Sequence, residues 1–361
     1  MTNLASSKKI TQLNMISSFN SLHMNKSSIL KQNMEDEFGR TAKKLRISVT
    51  DRCNMRCVYC MPYNNTTWFD QDNLLSYEQI FHIVTIFADL GVDNIKITGG
   101  EPTVRPKIEN LVKLLSGVEA IKSISMTTNG LLLKDKVKQL KEAGLQSVNI
   151  SLDTFSEYRF KSMTGIDGGL KKVLDSIDAA QSADLKVKIN SVIIRGWNDD
   201  EVTKFAQFSR ETGIIVKFIE FMPLDGTGIW NSDLVFSKRE IMDIINKDVQ
   251  KLVPLNNDKS DPARLYAFDD KKGIIGFIPS ITEPFCNNCD RIRINSEGKL
   301  FTCLFEKQGY DLKYLLQNRK SDNDIKKFIL ECVKKKPEGI ISIIKSNALK
   351  PTMNIMHTIG G

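Results

Sequence analysis

Residues Leu45–Pro62 read LRISVTDRCNMRCVYCMP, a short β-branched run that gives way to three cysteines, Cys53, Cys57 and Cys60. Cysteines spaced C-x3-C-x2-C in the loop leaving a first strand let three thiolates converge on one cluster. A second trio lies far along the chain: Cys286, Cys289 and Cys303, spaced C-x2-C-x13-C. Six of the seven cysteines are thus used in threes, and three is the informative number. A structural zinc site takes four ligands and closes its shell. Three thiolates on a cubane iron–sulfur cluster leave one iron open to a small molecule. Two open irons imply redox chemistry on a bound substrate.

Outward from Leu45, one supersecondary unit repeats. Strand-like runs recur at residues 45–50, 94–98, 123–128, 147–152, 187–194 and 215–222. Helical spacing fills several intervals, at residues 77–90, 134–143, 170–180 and 200–211, and Gly91, Gly144 and Gly213 close three of them. Strands alternating with helices predict parallel pairing and right-handed crossovers. Six units are too few for a closed eight-stranded barrel, so a partial (βα)6 barrel and an open doubly wound sheet both fit. Polar residues gather where the strands end: Asp51 to Cys53, Gly99 to Glu101, Thr128 to Gly130, Ser151 with Asp153, Asn190, and Glu220 with Met222. In parallel α/β architectures the site lies at the carboxyl ends of the strands. After about residue 230 the rhythm changes to two hairpins, 264–268 with 274–278 and 291–295 with 300–304, then helical stretches near 324–334 and 339–346. This reads as an α+β appendage carrying the second trio.

Gly99-Gly100-Glu101-Pro102 follows the second strand. At an open iron, a methionine can be chelated through its amino and carboxylate groups, and electron transfer would cleave an adjacent sulfonium to a carbon radical. Glu101 is the candidate acceptor for that amino group. Asn129, Ser151 and Asp153 could hydrogen-bond a ribose or carboxylate, or simply cap strand ends. Arg291 and Arg293 follow the second trio at once and point to one strand face, a site for an anionic group such as phosphate. The blander alternatives are a zinc knuckle at the first trio and a zinc ribbon at the second. The second lacks a convincing fourth ligand, because Cys332 falls in the apolar stripe Ile325, Phe328, Ile329, Cys332. His23, His82 and His357 lie outside any metal spacing and take no role. The chain ends Ile359-Gly360-Gly361. Such an end ordinarily frays, yet it is slim enough to thread into a closed active site.

A chain of 361 residues, 41% of them hydrophobic, suits a main domain with an appendage. Its formal charge of +8 is spread along the chain rather than gathered in one block, which favours a solvated basic surface over nucleic-acid binding. No apolar run reaches the length of a membrane span, so no membrane partner is expected. Cysteines without a signal-peptide pattern point to a reducing interior, the cytoplasm, or the mitochondrial matrix in a eukaryotic host. Residues 1–37 are rich in Ser, Asn and Lys, have Glu35 as their first acid and contain no Arg. They read as a disordered extension, or as sequence upstream of a start at Met34, rather than as a transit peptide.

In order, LRISVTDRCNMRCVYCMP, ITGGEPTVR, TTNGLLL, VNISLD, VKIN, FIEFMPL, CNNCDRIRI and the final GG resemble the molybdenum cofactor biosynthesis protein A family over roughly residues 38 to 361. These are radical S-adenosylmethionine (SAM) enzymes, the GTP 3',8-cyclases. The resemblance implies a partial (βα)6 radical-SAM barrel over residues 38–230 and a second-cluster and substrate-binding region over 231–361. It implies two [4Fe–4S] clusters, one on Cys53, Cys57 and Cys60, the other on Cys286, Cys289 and Cys303 with its open iron facing guanine. Tyr59, Gly100, Ser151 and Met222 would contact SAM. Arg46, Lys96, Thr127, Lys188, Lys217, Arg291 and Arg293 would grip GTP, and Arg291, Arg293, Gly360 and Gly361 would serve catalysis. In the implied reaction a deoxyadenosyl radical takes hydrogen from ribose C3', and that carbon attacks purine C8. The product is (8S)-3',8-cyclo-7,8-dihydroguanosine 5'-triphosphate, on the way to molybdopterin. A reductant such as flavodoxin or ferredoxin and a downstream cyclic pyranopterin monophosphate synthase are the implied partners, and a homodimer is compatible. Lys96 and Lys217 stand where members of this family commonly carry Arg, which keeps charge but gives up bidentate phosphate geometry. A twin-cluster peptide-modifying maturase is the neighbouring alternative, disfavoured by the arginine pair and the Gly-Gly end. A zinc-bearing nucleic-acid module is the distant one.

Overall fold

The computed structural model describes residues 33–61, 68–224, 228–256, 258–345 and 356–360. Six strands, β1 (Lys44–Ser48), β2 (Asn94–Thr98), β3 (Ser123–Thr128), β4 (Ser147–Ser151), β5 (Lys186–Ile193) and β6 (Ile215–Glu220), fall within two residues of the expected runs. The helix Tyr77–Asp89 shows why the intervals coil. Ser76 and Gln79 close a capping box at its start, Ile80, Ile83, Val84 and Phe87 form a buried stripe, and Gly91 at φ 99 releases the chain toward β2. The helices Ile108–Ser116, Glu157–Thr164 and Lys238–Asp248 complete the alternation where the sequence reading had none. The six strands lie side by side in chain order, all parallel. A doubly wound sheet reverses its order at a switch point. This one does not, so the partial barrel is the architecture.

The later strands are β7 (Leu252–Pro254), β8 (Arg264–Phe268), β9 (Ile274–Ile278), β10 (Arg291–Ile294), β11 (Lys299–Phe301) and β12 (Tyr310–Asp311). The hairpins β8–β9 and β10–β11 are antiparallel as expected. They are not set apart from the barrel strands, however. Strand β9 pairs parallel with β6 and β10 pairs parallel with β1, so all twelve strands share one open sheet. Its edges finish in the two-residue β12 and the three-residue β7, too short to template pairing with another chain.

Register then orders the chemistry. Arg46 on β1 sits opposite Lys96 on β2 and opposite Arg293 on β10. Because β1 and β10 run the same way, the first trio, which follows β1, lies beyond their carboxyl ends. Cys286 and Cys289 precede β10, and Cys303 follows the antiparallel β11, so the second trio lies beyond the amino ends. The five residues of β1 separate the two ends by roughly 15 Å at ~3.3 Å per residue.

Of the extension expected over residues 1–37, residues 1–32 lie outside the described set. The remainder is packed rather than disordered. Met34 is fully buried, and Asp36 pairs with Arg40 at 2.7 Å. The Arg40 guanidinium also donates to the carbonyls of Cys286, Pro337 and Glu338 at 2.7–2.9 Å, so this segment braces the second trio. Among the described residues no helix is long and apolar enough to cross a membrane.

An aromatic chain, Phe155, Phe205, Phe218, Phe277 and Tyr266, runs through the core from the barrel into β9 and β8. Phe277→Ala should cost about 3–5 kcal/mol through the cavity it leaves. Trp68, Trp197 and Trp230 all precede residue 231, yet their fluorescence in a urea titration should report that loss in a single transition shared with far-UV circular dichroism. Two separated transitions would show that the C-terminal strands form an independent unit.

Candidate active site

The loop leaving β1 is held on both flanks. Arg56 and Val58 donate backbone N–H groups to the carbonyls of Thr164 and Met163, at the end of the helix Glu157–Thr164. Gly100 and Glu101 donate to the carbonyls of Thr50 and Arg52 at 2.7 and 2.8 Å. A Cβ on Gly100 would overlap the carbonyl oxygens of Asp51 and Arg52. The paired glycines therefore admit the cysteine loop itself onto the end of β2. Glu101, 1% exposed, ties β3 to the same corner. Its Oε1 accepts from the Thr103 N–H, the Thr103 hydroxyl and the Thr128 hydroxyl, and its Oε2 from the Asn129 N–H at 2.6 Å. With four protein donors, this carboxylate is a hub of the site, and only Oε2 keeps acceptor capacity for an ammonium.

Cys53, Cys57 and Cys60 line one cavity of about 790 Å³ including its open mouth, together with Tyr59, Gly100, Thr127 and Ser151. Met222, expected alongside them, sits half-buried past β6 and is not part of that lining. The Met55 N–H points at the Cys53 sulfur at 3.4 Å and the Asn129 amide at 3.7 Å. Burial and the Glu101 charge nevertheless push Cys53 up to about 11. Burial and neighbouring thiols raise Cys57, and bring Cys60 to about 12. Three thiols that line one cavity and are this reluctant to ionise alone fit a group that takes all three as thiolates and displaces their protons. Tyr59 donates to Asp153 at 2.6 Å, and burial lifts that carboxyl to about 6.

The second trio is braced differently. The 3-10 turn Cys286–Asn288 presents its first two members, and Gly339 packs so closely that a Cβ there would strike Cys286. Lys336 donates to the carbonyls of Cys289 and Arg291 at 2.8 and 2.9 Å. Arg291 stacks on Phe285 and donates to the Cys289 sulfur at 3.3 Å. Burial pushes the Cys289 thiol up, but the charges of Arg291 and Lys336 overcome it and bring Cys289 down to about 6. Burial leaves Cys303 at about 11. Among the described residues no three His, Cys, Asp or Glu side chains close on a single metal ion. A multi-iron cluster, with one thiolate per iron, takes more widely set sulfurs.

Between the trios lies a row of cations. Arg46, Lys96, Lys188, Lys217 and Arg293 stand on β1, β2, β5, β6 and β10, and neighbouring cations, Arg291 among them, lower Arg46, Lys96, Lys217 and Arg293. Burial comes first in each case. It and the neighbouring charges bring Arg46 to about 10 and Lys217 to about 8, and hold Lys96 and Arg293 well below their ordinary values. Among the described residues none of these, nor Arg291, forms an ion pair. Asp261 is the carboxylate whose charge reaches Arg46, Lys96 and Lys217. Buried cations without counter-ions are costly unless an anion completes the site.

Gly360 closes the row, its carbonyl accepting from Arg293 at 2.6 Å. Its φ of 78 and the crowding of a Cβ there by Thr98 and Ser48 explain why a glycine fits. Gly361 lies outside the described residues. His82 pairs with Asp322 at the surface at 2.8 Å, but His357, given no role by the sequence reading, is buried against Cys60. Its only signal was its place three residues before the first terminal glycine. Arg40, Asp261 and Lys336 also belong to the site and carried no sequence motif.

The chain matches the Radical SAM superfamily over residues 47–209 and Molybdenum Cofactor Synthesis C over residues 214–341. It is 42% identical to the GTP 3',8-cyclase of Thermodesulfovibrio yellowstonii over 330 residues, 91% of this chain and all of that protein. To the GTP 3',8-cyclase of Clostridium botulinum strain Langeland it is 44% identical over 282 residues, 78% of this chain and 86% of that one. In fold it resembles Streptococcus suis SuiB bound to S-adenosylmethionine, with a TM-score of 0.56 and 17% identity over 88% of this chain and 77% of that one.

Gly100→Ala should cost about 1–3 kcal/mol through overpacking of the cysteine loop. Guanidinium unfolding of the metal-free protein measures it. A wild-type midpoint would mean that the loop is free to move away from β2.

Proposed function

We propose, from the premise that this chain belongs to the GTP 3',8-cyclase family of radical SAM enzymes, that it joins C3' of the GTP ribose to C8 of the purine. The observation that carries this reading is a row of cations without an ion pair among the described residues, buried at Lys217 and Arg293 and half-buried at Arg46, Lys96 and Lys188, set between two cysteine trios. A triphosphate supplies the missing counter-charge, and each charge-assisted hydrogen bond to it is worth about 1.5–3 kcal/mol. With the phosphates held on the row, the β1–β10 register sets the nucleoside between the trios.

Cys53, Cys57 and Cys60 would hold one [4Fe–4S] cluster, and Cys286, Cys289 and Cys303 a second. When bound, the first supplies the electron that splits SAM's sulfonium. The chain's own residues do the rest by placement. Tyr59, fixed by Asp153, Gly100 and Ser151 shape the SAM side of the cavity, with Met222 further out past β6. Thr127 reaches the same cavity from β3, beside the cation row. Arg291 and Arg293 extend the row to the second trio, and Gly360 caps it. Burial and like charge loosen the hold of Lys96 and Lys217 on their protons, and a bound phosphate would tighten it. A flavodoxin or ferredoxin would serve as reductant, and a cyclic pyranopterin monophosphate synthase would consume the product. A bacterial cytoplasm fits these partners.

Anaerobically prepared protein should carry on the order of eight irons, two cubanes' worth, and convert GTP to the 3',8-cyclised nucleotide. Cys303→Ala should keep reductive cleavage of SAM and lose the cyclised product. Equal loss of both from a folded variant would contradict the separate duties of the trios, and stoichiometric zinc in place of iron would overturn the enzyme assignment.

GTP affinity should fall with alkaline pH. Lys217 ionises at about 8 in the free protein, and the triphosphate restores it toward the ordinary lysine value, so binding takes up a proton above pH 8. Each pH unit above that point should weaken binding roughly tenfold until the restored value is reached. Calorimetry in buffers of different ionisation enthalpy reads this directly. Lys217→Arg should flatten the profile, and an unchanged profile in that variant would place the titrating group elsewhere.

A further inference from the structure

Asn149 stands at the middle of β4, where the register sets Thr127 of β3 on one side and Lys188 of β5 on the other. Val148 and Ile150 belong to the apolar core, so by strand alternation Asn149 points the opposite way, with Ser151. Ser151 and Thr127 both line the cavity of the first trio, and Lys188 belongs to the cation row. Asn149 is 3% exposed, yet among the described residues its carboxamide has no hydrogen-bond partner. A buried amide is ordinarily paired, because losing water without a replacement is costly. Buried Asn129 and Asn198 show the contrast. Asn129 donates to Asn54 at 2.8 Å and accepts from Leu131 at 3.1 Å. Asn198 accepts from Ile194 at 2.9 Å and donates to the Asp153 carbonyl at 2.8 Å.

A carboxamide donates through its NH2 and accepts through its carbonyl. Phosphate oxygens only accept, and would leave that carbonyl unpaired. A hydroxyl answers both. Asn149 lies one strand from Lys188, in the row that holds the phosphates, and two residues, about 7 Å, short of Ser151 on the SAM side. In a nucleoside triphosphate the ribose is the part joined to the phosphates, and C3' is the carbon that must face SAM. We propose that Asn149 is a substrate-binding residue that hydrogen-bonds a ribose hydroxyl of the nucleotide and so turns the sugar toward the first trio. This deepens the reading that the site takes GTP and rests on it.

The test is equilibrium binding of GTP, 2'-deoxyGTP and 3'-deoxyGTP to the reconstituted full-length protein, with SAM binding measured beside it. Wild type should hold GTP about tenfold more tightly than one of the two deoxynucleotides, which lacks the hydroxyl that Asn149 bonds. Asn149→Ala should weaken GTP by about the same factor while leaving that analogue and SAM almost unmoved, so that the preference disappears. Asn149→Leu, which keeps the volume without the amide, should do the same and decides in place of an alanine variant that fails to fold. An equal loss for all three nucleotides would put the amide on the phosphates or the base and overturn the proposal. Unchanged GTP affinity, or a loss confined to SAM, would overturn it as well, and so would a wild type indifferent to both deoxynucleotides. A wild type that binds none of the three would overturn the GTP reading itself, an outcome distinct from nucleotide binding that the Asn149 variants leave unmoved.

Discussion

Strand β1 is hydrogen-bonded in parallel on both sides, to β2 and to β10, and the rest of the site depends on that pairing. Parallel neighbours share their polarity. A cysteine loop that leaves β1 and a cysteine turn that enters β10 must therefore lie at opposite ends of adjacent strands. The middle of the pair is left for side chains, and the register fills it with Arg46 and Arg293 facing each other. Had β10 joined β1 antiparallel, both trios would have met at one end, and no length of strand would have separated them.

That geometry explains a charge arrangement that is poor for folding and good for binding. Burial and like charge lower Arg46, Lys96, Lys217 and Arg293, and Asp261 offsets the first three of them in part. Elsewhere buried Asp36 pairs with Arg40, and buried Asp290 with Lys44. The cations of the inner row between the trios have no such partner among the described residues, a deficit that a polyanion would make good. The acidic side of the site is handled in the opposite way, since Glu101 is saturated on Oε1 by its own neighbours and serves as a clamp.

Much of this was legible in the sequence because it is local. Strand β2 carries its signal in NIKIT and the first trio in its own spacing, and Gly91, Gly144 and Gly213 mark helix ends because positive φ is a local demand. What stayed hidden is non-local. The runs that became β9 and β10 were readable as hairpin strands, but nothing in IIGFI or RIRI names β6 or β1 as the partner on the other edge. Residues 33–37 looked like tail by composition, yet Met34 is core, because burial depends on what surrounds a residue in space. Glycines at 99 and 100 pointed to close approach without saying to what, and the structure answers that it is the backbone of Asp51 and Arg52. His357 escaped a search for metal spacing because its burial and its edge contact with Trp68 arise from the folded tail rather than from any local pattern.

The tail shows how few residues such a site needs once the sheet is in place. From Met356 to Gly360 the chain touches Leu224 past β6, Trp68 in the segment between β1 and β2, and Arg293 on β10. A short helix rises only ~1.5 Å per residue, so it joins these points because the sheet has already drawn them together, with the Arg293 side chain reaching out from within β10 to Gly360. A side chain at position 360 would meet Thr98 and Ser48 at the ends of β2 and β1, and the left-handed backbone there would strain it further. The glycine is thus required by the same parallel edge that sets the trios apart, and the tail closes the site on the fold's own terms rather than as an added lid.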